Sequence, residues 1–422
     1  MRRRTLLTST AAVLAAGCAP SRRRARGGKV TLRFQSLAWQ KESVDVNKRL
    51  VAEWNAAHPR IRVDYVQGSW DSVHDQLLTS FEGGEAPDII HDAADDLADF
   101  AYGGYLADLR GLLPDRLRDD IPARSWATTT FGDGVYGVPF LQEPRVIIAN
   151  RAPLERARVR IPTVREPWSW AEFEDAVSAL TRGGTYGVAW PLKEPVAATL
   201  GLALSTGGRV FHRGADGKVT VRFGAADQRV PRAIARTAAK STLGMGGSDT
   251  LPGFFGGKYA MVPLGFSYRQ QIVQQAPKGF AWTVLPAPAG PGGRGQRQGV
   301  SPQTLSIAED SPYKEEAARF LDFLLRPRNM ARLALGDWML PTGTGALRDR
   351  ALHTTEHGWA TGTALAAQLR PAPALSVRGY PEWKDKVATP ALQEYYSGAI
   401  GMEGLRKRLV KDGGLVLARY QR

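Results

Sequence analysis

The string His353-Thr354-Thr355-Glu356-His357 matches the pattern H-x-x-E-H. On a helix that spacing turns two imidazoles to one face for zinc and leaves a glutamate as base. The context argues for a solvated loop instead. Two threonines disfavour a helix and Gly358 follows at once. Glu382, Glu394 and Glu403 lie downstream, but none sits in a recognisable third-ligand motif. A second constellation is acidic: Asp92, Asp95 and Glu143 are candidates to converge on one ligand. A glycosidase would need two such carboxyls at a set separation, which spacing along the chain does not supply. Gly265-Phe266-Ser267 lacks the second glycine of a nucleophile elbow. The glycines between 290 and 299 do not link a strand to a helix, so no phosphate cradle is expected. The residues call for no cofactor and no metal.

Aromatic residues carry more information. The chain holds eleven tryptophans and twelve tyrosines. A sugar ring has an apolar C–H face that stacks on indole or phenol, while its hydroxyls need planar polar partners. Trp39, Trp190, Phe266, Tyr268 and Tyr380 all fall near the ends of expected elements, where cleft residues tend to sit. Ordinary core packing is the competing explanation for any one of them.

The single cysteine, Cys18, excludes an internal disulfide framework and cysteine-built metal clusters. Its setting gives it another chemistry. Arg2, Arg3 and Arg4 precede a short apolar run from Leu6 to Ala16. That run is too short to span a bilayer and has the form of a signal peptide. Arg3-Arg4-Thr5-Leu6-Leu7 resembles a twin-arginine export signal, and a general signal with extra arginines is the other reading. Ala15-Ala16-Gly17-Cys18 resembles a lipobox, in which the thiol becomes a lipid thioether and Cys18 the mature N-terminus. Residues 19–29 then form a flexible tether whose arginines favour an anionic lipid surface.

The 422-residue chain has a formal charge of +15. Eight basic residues and no acids lie within residues 1–29, leaving +7 for the remainder. There the basic residues are scattered among acids and no nucleic-acid motif is present, so nucleic acid is not an expected partner. Length alone suggests about two to three domains.

Alternation at Val30, Leu32 and Phe34 predicts a strand, and Val46, Leu50, Val51 and Trp54 follow helical spacing up to His58-Pro59. Ile61, Val63 and Tyr65 predict a second strand. Leu77–Phe81 reads as a helix end, and Pro87-Asp88-Ile89-Ile90 as a short third strand. This order predicts an α/β layer with a largely parallel sheet. Ser169 with Glu172 predicts a capping box. Ser311-Pro312 predicts a helix start with proline in the first helical position. Residues 286–299 read as a turn or exposed loop.

Several strings, in order, resemble the extracellular solute-binding lipoproteins of carbohydrate ABC importers, of the maltose-binding type (solute-binding family 1). They are Gly84-Glu85-Ala86-Pro87-Asp88-Ile89-Ile90, Tyr136-Gly137-Val138-Pro139, Trp168–Phe173, Phe254–Gly265, Pro341-Thr342 and Tyr395–Leu405. The resemblance implies a two-lobed periplasmic-binding-protein-like fold, with hinge-linked lobes and the ligand in the cleft between them. By analogy, lobe one is 30–140 plus 302–350, and lobe two is 141–301 plus 351–422.

Carried over by position, the contacts implied are Ser36, Trp39 and Glu42 after the first strand, and Ser80 at a helix end. Asp92 and Asp95 follow the third strand, with Asp92 where the maltose pattern has an aromatic. Glu143 follows Pro139 by four residues. Gly265, Phe266, Ser267 and Tyr268 replace the common Gly-x-Trp, so the stacking ring is Phe266 or Tyr268. Trp190, Arg378 and Tyr380 complete the set.

The expected role is capture of a sugar or oligosaccharide and delivery to an ABC permease. The expected form is a monomer held by its N-terminal lipid on the outer face of the cytoplasmic membrane. A glycerophosphodiester carrier, with an arginine such as Arg378 holding phosphate, is the alternative within binding proteins. A secreted glycoside hydrolase using Glu143 and an aspartate is the alternative from another class.

Overall fold

A computed structural model describes residues 28–290 and 297–421. The signal segment, Cys18, most of the tether and part of the Pro/Gly-rich loop lie outside the described residues.

The first strand, β1 (Val30–Ser36), alternates buried and partly exposed residues. It pairs in parallel with β2 (Ile61–Gln67) on one side and β3 (Ile89–Ala93) on the other. Between β1 and β2 runs α1 (Lys41–Ala57), which buries Val46, Leu50, Val51 and Trp54 on one face. The Trp54 indole donates to the Ile61 carbonyl at 2.9 Å and stacks on His58, so the helix stop and the next strand are fixed together. Asp88 explains the acid in the Pro-Asp-Ile-Ile string. Its carboxylate accepts from the Arg33 backbone N–H at 2.8 Å and from the Ser311 hydroxyl at 2.6 Å, locking the start of β3 against its neighbours.

The sheet has six strands but is less parallel than expected. Gln303–Ile307 runs antiparallel to β3, Val138–Gln142 pairs antiparallel to Gln303–Ile307, and Leu340–Pro341 pairs antiparallel at the edge. The reason is topological: the chain leaves the sheet along one strand and re-enters along the next in the opposite sense. A second, three-stranded sheet is wholly antiparallel, with Arg145–Asn150 between Met261–Gly265 and Trp282–Pro286.

Each sheet has its own core. Leu32, Trp54, Ile89, Leu305 and Phe320 belong to one cluster of buried residues. Trp168, Phe173, Met261, Leu285 and Trp383 belong to another. The Ser169 capping box forms with both arms: the hydroxyl accepts from Glu172 N–H at 3.2 Å, and the Glu172 carboxylate from Ser169 N–H at 2.7 Å. The helix expected at Pro312 begins two residues later, as Lys314–Leu324. Ser311 is engaged by Asp88 and by the Tyr313 N–H, which holds this stretch as a turn.

The six-stranded sheet is joined to the rest of the molecule where strands follow one another with almost no loop, once into the three-stranded sheet and once into Gln298–Val300, which pairs in parallel with Leu369–Pro371. Only Glu143 and Pro144 separate Val138–Gln142 from Arg145–Asn150, and only Ser301 and Pro302 separate Gln298–Val300 from Gln303–Ile307. Buried Gln298 ties the two crossings: its side chain accepts from Arg145 N–H at 2.7 Å and donates to the Arg145 carbonyl at 3.0 Å. A third crossing follows Leu340–Pro341. Leu352, Trp359 and Leu365 beyond it pack with Phe254, Val262 and Phe266 beside the second sheet.

Candidate functional site

Asp95 lies in the first turn of the helix Ala94–Tyr102, directly after β3. It lines a pocket with Ser301 of a crossing segment and with Phe211, Ala374 and Tyr380 from the other half of the molecule. Tyr380 is 4% exposed, and its ring is held by Phe211 edge-on and by Trp383 in a stack. The tyrosine hydroxyl makes no hydrogen bond to a described residue, and the Ser301 hydroxyl lies beside the Asp95 carboxylate. A polar group without a protein partner at the wall of a pocket is what a hydroxyl-rich ligand needs.

Asp92 lies just behind, 1% exposed. One carboxylate oxygen accepts from Ala93 N–H at 2.8 Å, and the other has no partner. Burial, reinforced by Asp96, pushes the Asp92 carboxyl well above the usual carboxylate range. Burial also raises Asp95, against the opposing pull of Lys384 and Ser301. For Lys384 burial opposes the charge, but Asp95, Asp385 and Asp96 outweigh it and raise its affinity for a proton. Arg378 sets its guanidinium 4.8 Å from the centre of the Tyr102 ring, across the groove.

A second group gathers at the Glu143 crossing. The Glu143 carboxylate accepts from Ser267 N–H at 3.0 Å. A Cβ at Gly265 would meet that carboxylate at 2.6 Å, so glycine is what lets the acid sit here. Tyr268 follows, half-buried, its phenol raised above the ordinary tyrosine range by burial and by Glu143.

Several expected contacts have other duties. Trp190 is enclosed in the second core and donates to the Thr237 hydroxyl at 3.0 Å, so neither ring face is open to a ligand. Phe266 is equally enclosed, with the Arg269 guanidinium 3.2 Å from its ring centre and Trp359 edge-on. Of the two rings weighed for stacking, Tyr268 is the one with an exposed part. Ser80 donates to the Leu77 carbonyl and closes its own helix (Val73–Glu82), next to the turn that feeds the start of β3 rather than its pocket end. Ser36 is buried and accepts from Ala38 N–H. Trp39 is half exposed. Glu42 is taken up by protein partners: it accepts from the Trp338 indole at 3.0 Å and from the Gln270 amide of the other half. His353 and His357 fall on separate short turns, and His357 has φ 49°, so no helix face brings them together.

Sequence reasoning missed Arg269. Its buried guanidinium donates to the carbonyls of Phe266 (2.6 Å), His357 (2.8 Å) and Trp338 (3.0 Å). It joins the turn beside Glu143 to the third crossing. Backbone carbonyls from remote segments leave no local pattern that could announce it.

The profile of one family, described as bacterial extracellular solute-binding protein, matches residues 42–331. An uncharacterized lipoprotein from the oleD 5′ region of Streptomyces antibioticus is 69% identical over 409 residues, covering 95% of this chain and 90% of that protein. Solved structures share the fold at low identity. The GacH receptor of Streptomyces glaucescens, studied unliganded and with acarbose, has a TM-score of 0.77 at 20% identity, covering 92% of this chain and 99% of its own. The Listeria monocytogenes substrate-binding protein Lmo0181, in complex with cycloalternan, gives 0.75 at 19% identity, with 93% and 99% covered. The sugar-binding protein MalE of Xanthomonas citri gives 0.77 at 22% identity, with 93% and 98% covered. The fold is that of the two-lobed maltose-binding proteins, and the chain belongs to the bacterial extracellular solute-binding protein family.

Proposed function

We propose that this chain is the substrate-binding component of an ABC importer, capturing a sugar or oligosaccharide outside the cell and delivering it intact to a membrane permease. One observation carries the reading: Asp95 from one half and Tyr380 from the other share a pocket with Ser301 on the segment that joins the halves. A ligand seated there touches both lobes only when they are closed, so its binding free energy favours closure. We take lobe one as 30–140 with 302–350 and lobe two as 141–301 with 351–422. The separate cores and the near-loopless crossings support that division. The fold neighbours' complexes with acarbose and cycloalternan support a carbohydrate ligand.

The ligand set we assign is Asp92, Asp95, Tyr380 and Arg378 in the pocket region, with Glu143, Gly265, Ser267 and Tyr268 at the neighbouring crossing and Trp39 at the rim. Family membership supports binding rather than glycoside hydrolysis. A phosphate ligand is disfavoured because the pocket wall presents the carboxylate of Asp95. A lipid on Cys18 would hold the protein at the outer face of the cytoplasmic membrane, and the 69% identical relative being a lipoprotein supports this. Among the described residues no helix is long and apolar enough to cross a membrane.

A thermal-shift screen of the unlipidated protein against mono- and oligosaccharides tests the reading. A sugar at about 100 times its Kd should add roughly 2.7 kcal/mol of stability. A shift with glycerophosphocholine and with no sugar would reverse the assignment.

A further inference from the structure

The third crossing is gripped at both ends by one side chain. Fully buried Arg269 donates from Nη2 to the Trp338 carbonyl at 3.0 Å and from Nη1 to the His357 carbonyl at 2.8 Å. Trp338 stands just before the crossing and His357 at its far end. Both are non-glycine residues in the left-handed region, at φ 55° and φ 49°, where few side chains are found. The remaining donor, Nε, holds the Phe266 carbonyl at 2.6 Å. The next residue, Ser267, donates its N–H at 3.0 Å to Glu143 on the first crossing. Burial works against the charge of the guanidinium, and Glu143 supports it.

A second tie reaches the same tryptophan from outside. Gln270, next in the chain to Arg269, donates to Glu42 of the other half, and Glu42 also accepts from the Trp338 indole at 3.0 Å. Trp338 is thus held by its carbonyl and by its side chain. Both ties return to neighbouring residues at the start of the helix Arg269–Gln275. Burying a cation costs stability unless its hydrogen bonds are met, and an apolar side chain fills a core position without that cost. A guanidinium that gathers carbonyls from three remote segments supplies geometry instead.

We propose that Arg269 is a positioning residue for ligand capture: it fixes the first and third crossings to one another, so that the lobes swing about a defined axis and Glu143 is held ready for the sugar. This rests on the two-lobed sugar-binding reading above and names the residue that aligns its halves. Lysine cannot replace it, because an ammonium lacks the planar fork that reaches three acceptors at once.

The test uses the unlipidated protein carrying Cys18→Ser, which removes the one native cysteine. Spin labels go on Asp119→Cys in lobe one and Lys407→Cys in lobe two, both exposed positions. Dipolar electron spin resonance reads the interlobe distances without ligand, and calorimetry reads affinity for the sugar that most raises the melting temperature. Arg269→Lys should widen the unliganded distance distribution and lower affinity about tenfold. Trp338→Phe, which removes only the indole donor, should move both the same way by less. Asp88→Ala is the control for lost stability alone: its melting temperature should fall while distances and affinity stay at wild type. Wild-type distances in both Arg269→Lys and Trp338→Phe would overturn the proposal. Should Arg269→Lys fail to fold by circular dichroism, Trp338→Phe decides by the same reading. The unliganded distances need no sugar, so a sugar screen without a hit counts against the carbohydrate reading alone, and the distances still judge the role of Arg269.

Discussion

At the scale of single residues, the pocket half of the molecule is governed by groups whose charge is decided by burial. His91 stands on β3 between two partners: its Nδ1 accepts from Leu37 N–H at 3.0 Å, and its Nε2 faces the Gln303 side-chain oxygen at 3.0 Å. Both contacts suit the neutral ring, and burial pushes its pKa down to about 4. Asp337, closing the helix Pro327–Asp337, is pushed by burial up to about 6. The two act with opposite signs. His91 supports the fold above its ordinary 6.5 and loses that support as pH falls through about 4. Asp337 supports the fold below its ordinary 3.8 and loses that support as pH rises through about 6. Each effect is of the order of 3 kcal/mol, so between pH 6.5 and 4 they largely offset. Chemical denaturation across that window should show Asp337→Asn losing stability more steeply than wild type on acidification. His91→Gln should instead gain stability as the pH falls.

At the scale of elements, the positions that matter most for geometry are those that tie one strand to the next. Asp88 binds a backbone N–H of β1 and a hydroxyl from the turn at Ser311. Asp88→Ala leaves both donors short of a partner and should cost roughly 2 kcal/mol in urea denaturation. Sugar affinity should be unchanged, because Asp88 lies at the opposite end of β3 from the pocket. The strand and helix periodicities, the capping box and the Asp88 string were legible in the sequence because each is written in neighbouring residues. The aromatics were legible as a class but not one by one. Trp190 and Phe266 resemble cleft rings until the Thr237 hydroxyl and the Arg269 guanidinium that enclose them are seen. Arg269 and Gln298 could not be found at all, since what they bind is backbone far away in sequence. The antiparallel half of the sheet was hidden for a related reason: strand direction depends on where the chain re-enters.

At the scale of the whole molecule, two cores are joined by three crossings and meet again across the groove. Glu42 holds Trp338 and Gln270. Gly379 donates to Asp99, and Arg378 covers Tyr102. These contacts span the same gap that a ligand between Asp95 and Tyr380 would span, so closure and binding draw on one interface. The most direct measurement is calorimetric titration of the sugar that most raises the melting temperature into wild type, Asp95→Ala and Tyr380→Ala. We predict one site per chain, ligand recovered intact, and affinity lowered about tenfold or more in both variants. Affinity unchanged in both, or a cleaved sugar in the cell, would contradict the account.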